Sequence, residues 1–349
     1  MNNTVFDYLI IGQGIAGSVL AMSILEEGKT CYVMDSRSPN TSSEIAAGIM
    51  NPITGKRMTL SWKADVFFPT AKSFYSRMED KLNNSFLHKL PVHRIFSSVG
   101  EQNDWAAKWT HTKYKNFIQP DAINSYSNEN ILTPNGSMKV DGGGRLSTSK
   151  FLSAVRNYLK VDSCFEERDV SIAEVEYDND SLRIGGIVAK SIVFCTGYDP
   201  INWGFLPFTP MKGEILELES EALPNDSILV GGCFLSPIQE HKFYAGATYD
   251  WKHTDLIKTT EAKSEILKKV SGFTQGTLKV VNHKVGIRPA VKDRRPMLGS
   301  HPDKPNTYLF SGLGSKGVSM APHLAKCLLN YMSDNTPLDL EMDLNRFVS

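Results

Sequence analysis

The chain has 349 residues, 41% of them apolar and 22% charged, with 38 basic residues balanced by 38 acidic ones. That length suggests about two packed cores, and the composition is that of a globular protein, not a disordered or fibrous one. Zero formal net charge argues against a general nucleic-acid binder or a basic membrane-surface protein. Five scattered cysteines, Cys31, Cys164, Cys195, Cys233 and Cys327, include no C-x-x-C pair and read as buried thiols of a reducing compartment. No histidine pair has metal-ligand spacing, so no metal site is expected. The first apolar run lacks a basic region before it and is soon interrupted by glycines, and no apolar stretch reaches membrane-spanning length. The expected location is the cytoplasm, with no membrane contact.

In chain order, residues 5–11 predict a strand. Gly12-Gln13-Gly14-Ile15-Ala16-Gly17 follows, and then a helix over about residues 15–27. Ala16, Leu20 and Ile24 share one face of that helix, and Gly28 stands where a C-terminal cap belongs. A second short run, residues 31–34, ends in Asp35. A strand, glycine turn, helix, strand and acid in this order hold an adenine dinucleotide. Gly12 permits the tight turn, Gly14 admits the pyrophosphate to the backbone, and Gly17 lets the helix lie close on the sheet. The helix N-terminus presents free N–H groups to the phosphates, and Asp35 is placed to accept from ribose hydroxyls. The plainer alternative is an ordinary glycine-rich turn.

A short helix is predicted near residues 42–47 and a longer amphipathic one over 64–82. Residues 87–97 alternate like a strand that Pro91 interrupts, and 101–112 read as a helix. Residues 128–144 are rich in Asn, Gly and Ser and read as turns and short strands. Ser147 or Thr148 can cap a helix running to about residue 160, with Phe151, Val155 and Leu159 on one side. Strands are predicted at 171–177, 182–184 and 187–194, the last running into Cys195-Thr196-Gly197. Several strand-like runs fill 211–248. A helix covers about 260–270, strands cover 277–287 and 308–310, and a last helix covers about 316–332.

A second glycine turn, Gly312-Leu313-Gly314-Ser315-Lys316-Gly317, opens that last helix, whose apolar face carries Val318, Ala321, Ala325 and Leu328. One pyrophosphate needs one such turn. A second helix N-terminus suits another electron-rich group, and the N1–C2=O edge of a reduced flavin is one, with Lys316 adding charge. The alternative is a helix cap without a ligand. A nicotinamide-dependent dehydrogenase has no obvious use for this turn. With no clean linker between the two glycine turns, one nucleotide-binding domain built from separated segments is expected.

Residues 12–17, Cys195-Thr196-Gly197, Gly286-Ile287-Arg288-Pro289 and residues 312–317 occur in the order found in the FAD-dependent D-amino-acid oxidase superfamily, which includes glycine and sarcosine oxidases. Glu44-Ile45-Ala46-Ala47-Gly48-Ile49-Met50-Asn51-Pro52 resembles that family's second flavin-contacting turn. Residues 312–324 are particularly similar to the oxidase half of the bifunctional enzyme that makes 5-methylaminomethyl-2-thiouridine in tRNA. The resemblance spans residues 5–330 and is dense in those five patches. It implies an α/β fold: a Rossmann-like FAD-binding domain (1–85, 146–209 and 285–349) and an inserted α+β substrate domain (86–145 and 210–284) on a mostly antiparallel sheet.

The same resemblance implies FAD as cofactor and a set of contacts to it. Gly12, Gly14, Ile15, Ala16, Gly17, Asp35, Ser36 and Arg37 would hold the ADP half. Ala46, Ala47 and Gly48 would approach by backbone, and Val170, at an expected strand end, would contact adenine. Cys195, Thr196 and Gly197 would close over the dinucleotide. Gly312, Gly314, Ser315, Lys316, Gly317 and Val318 would face the ring, with Arg288 beside it.

Arg288 stands between apolar Ile287 and Pro289, and its guanidinium fork matches a carboxylate. In the amino-acid oxidases an arginine in this motif grips the substrate carboxylate; the alternative is a salt bridge to Asp293 or Glu214. Arg294 and Arg295 read as solvated. Tyr249 aligns with a strand that lines the substrate pocket in relatives, or is a core or interface tyrosine. Some sarcosine-oxidase relatives use a lysine on this strand to activate oxygen. Tyr244 stands in that register here and Lys242 two residues away, both on one strand face. Met50 and His283 read as a buried methionine and a satisfied histidine.

The function implied is FAD-dependent oxidation of a C–N bond in a small amino acid or secondary amine, by hydride transfer to flavin N5. Arg288, Tyr249 and Lys316 are the candidate catalytic residues, and oxygen or another acceptor takes the electrons. One alternative is the same chemistry on the carboxymethylaminomethyl group of a tRNA wobble uridine. Another is a non-catalytic flavin-binding protein.

Overall fold

A computed structural model describes residues 4–38, 41–55, 57–108, 111–119, 126–178 and 181–348. The strand Val5–Ile11 pairs in parallel with Cys31–Asp35 on one side and Ile187–Phe194 on the other. Phe165–Glu167 extends this sheet beyond Cys31–Asp35. Ser181–Ile184 and Glu176–Asp178 extend it as an antiparallel meander. Thr307–Ser311 adds in parallel to Ile187–Phe194 and carries Met297–Ser300, giving eight strands. Leu9, Ile10, Ile192, Val193 and Phe194 have no exposed surface. Such a continuous apolar run is what a parallel strand covered on both faces requires.

Helices Ile15–Glu26, Ala64–Leu82, Thr148–Val161 and Gly317–Asp334 pack into one apolar core with this sheet. Gly17 makes the closest approach: a Cβ there would sit 1.9 Å from the Gly12 carbonyl oxygen. Proline at the sixth position of Gly317–Asp334, Pro322, lacks the N–H that would bond the Val318 carbonyl. The buried Tyr75 hydroxyl donates to that oxygen instead, at 2.8 Å.

A second sheet of seven strands runs Lys279–Arg288, Met211–Glu219, Lys242–Gly246, Cys233–Gln239, Ile228–Gly231, Val92–Ile95 and Ser137–Val140. Its pairings are antiparallel except for Ile228–Gly231 with Val92–Ile95. Helix Thr260–Ser271 covers one face, where Ile266 and Val270 join Leu216, Leu218, Phe243 and Ala245 in a separate core. Alternation therefore sends Glu217 and Tyr244 to the other face.

Several expectations need correction. Residues 171–177 are not one strand. Ser171 and Glu174 form a reciprocal capping box that winds Ile172–Glu174 into a 3-10 turn, leaving Glu176–Asp178 as the strand. The helix expected at 101–112 begins earlier, as Val99–Lys108, because Ser98 accepts from the Glu101 amide; residues 109 and 110 lie outside the described residues. Phe165–Glu167 and Met297–Ser300 were not expected as strands. No helix among the described residues is long and apolar enough to cross a membrane.

Candidate active site

The first glycine turn is locked by its neighbours. Asp35, at the end of its strand, accepts from the Gln13 amide at 2.6 Å and the Arg37 amide at 2.8 Å. Its carboxylate is thereby fixed beside the loop. Gly12 has φ +98°, and a Cβ there would meet the Cys195 carbonyl oxygen at 2.7 Å. Cys195, whose amide donates to the Ile11 carbonyl, closes the turn from above. Gly14 carries no side-chain cap for the helix it begins. Ser43, from the short helix Ser42–Ile45, accepts from the Ile15 amide at 3.0 Å. The remaining first-turn amides, Ala16 and Gly17 among them, face outward from a positive helix end.

The Ala46-Ala47-Gly48 turn is pinned to the strand Gly144–Leu146. Thr148 donates to the Ala46 carbonyl, the Leu146 amide donates to the Gly48 carbonyl, and a Cβ on Gly48 would overlap the Leu146 oxygen at 1.8 Å. Thr196 donates to Asp199 at 2.8 Å, and Ser311 donates to the Gly197 carbonyl. Val170 is buried but lies three residues past the end of Phe165–Glu167, so it is not at a strand end.

The second glycine turn converges on the first. A Cβ on Gly317 would lie 3.0 Å from the Ile15 side chain, so the two helix N-termini sit side by side. The Gly314 amide donates to the Pro289 carbonyl at 3.1 Å, tying this turn to the residue after Arg288. Lys316 is half-buried and donates to the Ser61 hydroxyl at 3.1 Å. Burial first, then Arg295 and Arg294, lowers its pKa from the ordinary lysine value.

Arg288 ends the strand Lys279–Arg288. Its guanidinium lies against Gly213 on the neighbouring strand, where a Cβ would come within 2.2 Å of Nη1. Nη1 donates to the Thr248 carbonyl at 3.3 Å, and the Tyr249 ring stands 5.0 Å from the guanidinium carbon. The salt-bridge partners weighed for it are engaged elsewhere. Asp293 pairs with Arg346 at 2.8 Å, and Glu214 takes His283 at 2.7 Å and Thr259. No carboxylate pairs with Arg288 among the described residues. Burial pulls its pKa down, opposed by Tyr249; an arginine guanidinium is charged at neutral pH in proteins. Tyr249 is 64% exposed, so it is not a core residue. Met50 is buried at 1% exposure, in keeping with its reading as a packing residue.

Lys284 was missed. It shares a strand face with Arg288 by simple alternation, a signal present in the sequence. Its ammonium pairs with Glu217 at 2.5 Å and sits 3.4 Å from the Tyr244 hydroxyl. Tyr244 therefore meets Lys284, not Lys242. Arg145 was missed too: 3% exposed, it donates to Ser147 and the Ile238 carbonyl and has no carboxylate partner among the described residues.

Open space lies beside Gly197 and Gly314, where an added Cβ would meet nothing within 4 Å. Two adjacent helix N-termini, a fixed acid and a rim of small backbone-presenting residues fit an elongated dinucleotide with a flat ring. The family model for FAD-dependent oxidoreductases, DAO, matches residues 7–331. The chain is 23% identical over 350 residues to glycine oxidase of Bacillus subtilis, covering 91% of this chain and 90% of that one. It is 23% identical over 363 residues to the bifunctional tRNA 5-methylaminomethyl-2-thiouridine biosynthesis protein of Idiomarina loihiensis, covering 95% of this chain and 56% of that protein. It thus spans about half the length of such bifunctional relatives. Glycine oxidase of Geobacillus kaustophilus superposes with a TM-score of 0.80 at 18% identity over 99% of both chains. The chain belongs to the FAD-dependent oxidoreductase (DAO) family.

Proposed function

We propose that this protein oxidises the C–N bond of a small amino acid or secondary amine, passing the electrons to oxygen or another acceptor. The observation that carries this reading is Arg288: a charged, desolvated fork with no acidic partner among the described residues, tied through Pro289 and Gly314 to the second helix N-terminus. FAD, when bound, supplies a ring that accepts a hydride, which carries both electrons of the oxidation. Gly12, Gly14, Ile15, Ala16, Gly17, Asp35, Ser36 and Arg37 would hold its ADP half. Ala46, Ala47, Gly48, Val170, Cys195, Thr196 and Gly197 would line its length, and residues 312–318 its ring.

Arg288 would pair with the substrate carboxylate and fix the α-carbon, which converts an encounter into an oriented reaction. Tyr249 would cover the guanidinium and exclude water from its face. The N-terminus of Gly317–Asp334 and Lys316 would hold positive charge where negative charge gathers. A bound amine that is already neutral needs no enzymic base.

The same arrangement would serve a carboxymethylaminomethyl group on tRNA, which also presents a carboxylate one carbon from an amine nitrogen. The match to the bifunctional relatives over 95% of the chain favours this second reading, and zero net charge weighs against it. Support for the expected two-domain division comes from the two sheets, although the strand Lys279–Arg288 runs across the boundary at residue 285. Anaerobic mixing of the yellow protein with glycine, sarcosine, D-alanine, D-proline and modified tRNA tests the proposal. Bleaching of the flavin by one of these supports it. Bleaching by none, with the cofactor still reducible by dithionite, returns the protein to a binding role.

A further inference from the structure

A cleft of about 570 Å³ opens beside the second helix N-terminus, between Thr54, Gly55, Arg57 and residues 59–62, the turn at Arg294 and Arg295, and the first turn of Gly317–Asp334. Four cations line it: Arg57, Arg294, Arg295 and Lys316. Trp62, Phe67 and Phe68 supply an aromatic wall.

Four positive charges around one small space repel one another unless an anion joins them. Arg295 has an acid partner already, and the nearby acids leave Arg57, Arg294 and Lys316 without one among the described residues. Glu341 is held by Arg295 at 2.7 Å and by the Trp62 indole at 3.0 Å. Asp339 is held by Lys63, and Asp293 by Arg346. Arg57 and Arg294 form no ion pair among the described residues, and Lys316 reaches only the neutral Ser61 hydroxyl. Arg294 also holds a left-handed backbone, φ +59°. For a non-glycine residue that carries a cost the surrounding turn must offset. Arg294 is exposed, as the solvated reading expects, but the fold also brings Arg294 and Arg295 to the lining of one cleft with Arg57.

We infer that this cleft is an anion subsite, holding a phosphate or second carboxylate on the far end of the amine substrate. The word substrate rests on the oxidase reading above; the anion site does not. The cofactor's own phosphates would belong to the other helix N-terminus, at residues 12–17, and Lys316 to its ring, so Arg57 and Arg294 are left to address a second anion. The cleft has the size of a small-ligand pocket, and its aromatic wall suits a compact group better than a duplex backbone.

The test uses the full-length, flavin-loaded protein at low ionic strength. Inorganic pyrophosphate is titrated while the Trp62 side of the protein is followed by fluorescence and heat of binding is measured. Saturable binding is expected, weakened about tenfold or more in the Arg57→Ser/Arg294→Ser variant, since the loss of even one of its two charge-assisted contacts gives that much; flavin content checks that the variant is folded. A second arm compares kcat/KM for an N-alkylglycine ending in a phosphonate with its neutral isostere. A preference of about tenfold for the anion is expected, collapsing in the variant. If neither compound is turned over but pyrophosphate still binds through Arg57 and Arg294, the oxidase reading fails and the subsite stands. No binding below about 10 mM pyrophosphate, or equal binding by the variant, overturns the subsite. Binding of RNA alone, with a steep salt dependence and no pyrophosphate response, overturns the small-anion assignment in favour of a nucleic-acid backbone.

Discussion

Gly213 and Arg288 are one feature divided between two strands. The guanidinium occupies the volume that any side chain at 213 would fill, with the nearest approach at 2.2 Å. Gly213→Ala is expected to displace the fork and raise KM for carboxylate-bearing amines about tenfold or more while flavin content stays constant, read by steady-state kinetics. Arg288→Ala should act the same way and more strongly. Arg288→Lys should not rescue it, because a lysine offers a point charge where two parallel bonds are needed. Equal KM values in wild type and Arg288→Ala would remove this residue from the substrate site. At the opposite end, Gly17→Ala places a Cβ 1.9 Å from the Gly12 oxygen, and the purified protein should be colourless. The first glycine turn was legible because its glycine spacing and the flanking strand, helix and acid form a local pattern, although it is Cys195 that forbids a Cβ at Gly12. Gly213 was not, because the atom that forbids its Cβ belongs to a distant strand.

Among the helices, the pairing of Tyr75 with Pro322 supports a specific expectation. Pro322 leaves the Val318 carbonyl without its helical donor, and the Tyr75 hydroxyl replaces it in a buried setting. Tyr75→Phe should therefore cost about 1–2 kcal/mol in denaturant unfolding. Restoring the amide with Pro322→Ala in the same chain should recover much of that loss; a double-mutant cycle with no coupling would refute the link. Helix Ala64–Leu82 was readable to the residue from its apolar period and polar flanks. Phe165–Glu167 was not, because three residues carry no periodicity and become a strand only by pairing with Cys31–Asp35. The turn at 172–174 illustrates the opposite case. Ser171 and Glu174 stand at capping-box spacing in the sequence, a local signal for the turn where a strand was expected.

Taken over the entire chain, burial holds five of the eight histidines below their ordinary pKa. His88 is the clearest, lowered to about 4 by burial and then by Arg145. Each of these rings takes up a proton more readily when unfolded, so protonation favours the unfolded chain. Their contribution to stability is complete above pH 6.5 and declines as pH falls below it, for His88 down to about 4. The melting temperature should drop across that window, and His88→Asn should flatten the drop. A melting temperature that holds constant down to pH 4.5 would contradict this. Asp7, held near 2 mainly by Lys190, adds a separate loss only below about pH 4.

The linear chain was enough to locate the first glycine turn, the second glycine turn and the arginine between them, because each is a local pattern of small residues, apolar runs and one stranded charge. Folding alone determined that the two helix N-termini lie side by side, that Arg288 rests on Gly213 beneath Tyr249, and that Arg57 and Arg294 line one cleft. Those placements depend on strand register and helix packing between segments far apart in sequence, where no local spacing reports which side chains will meet.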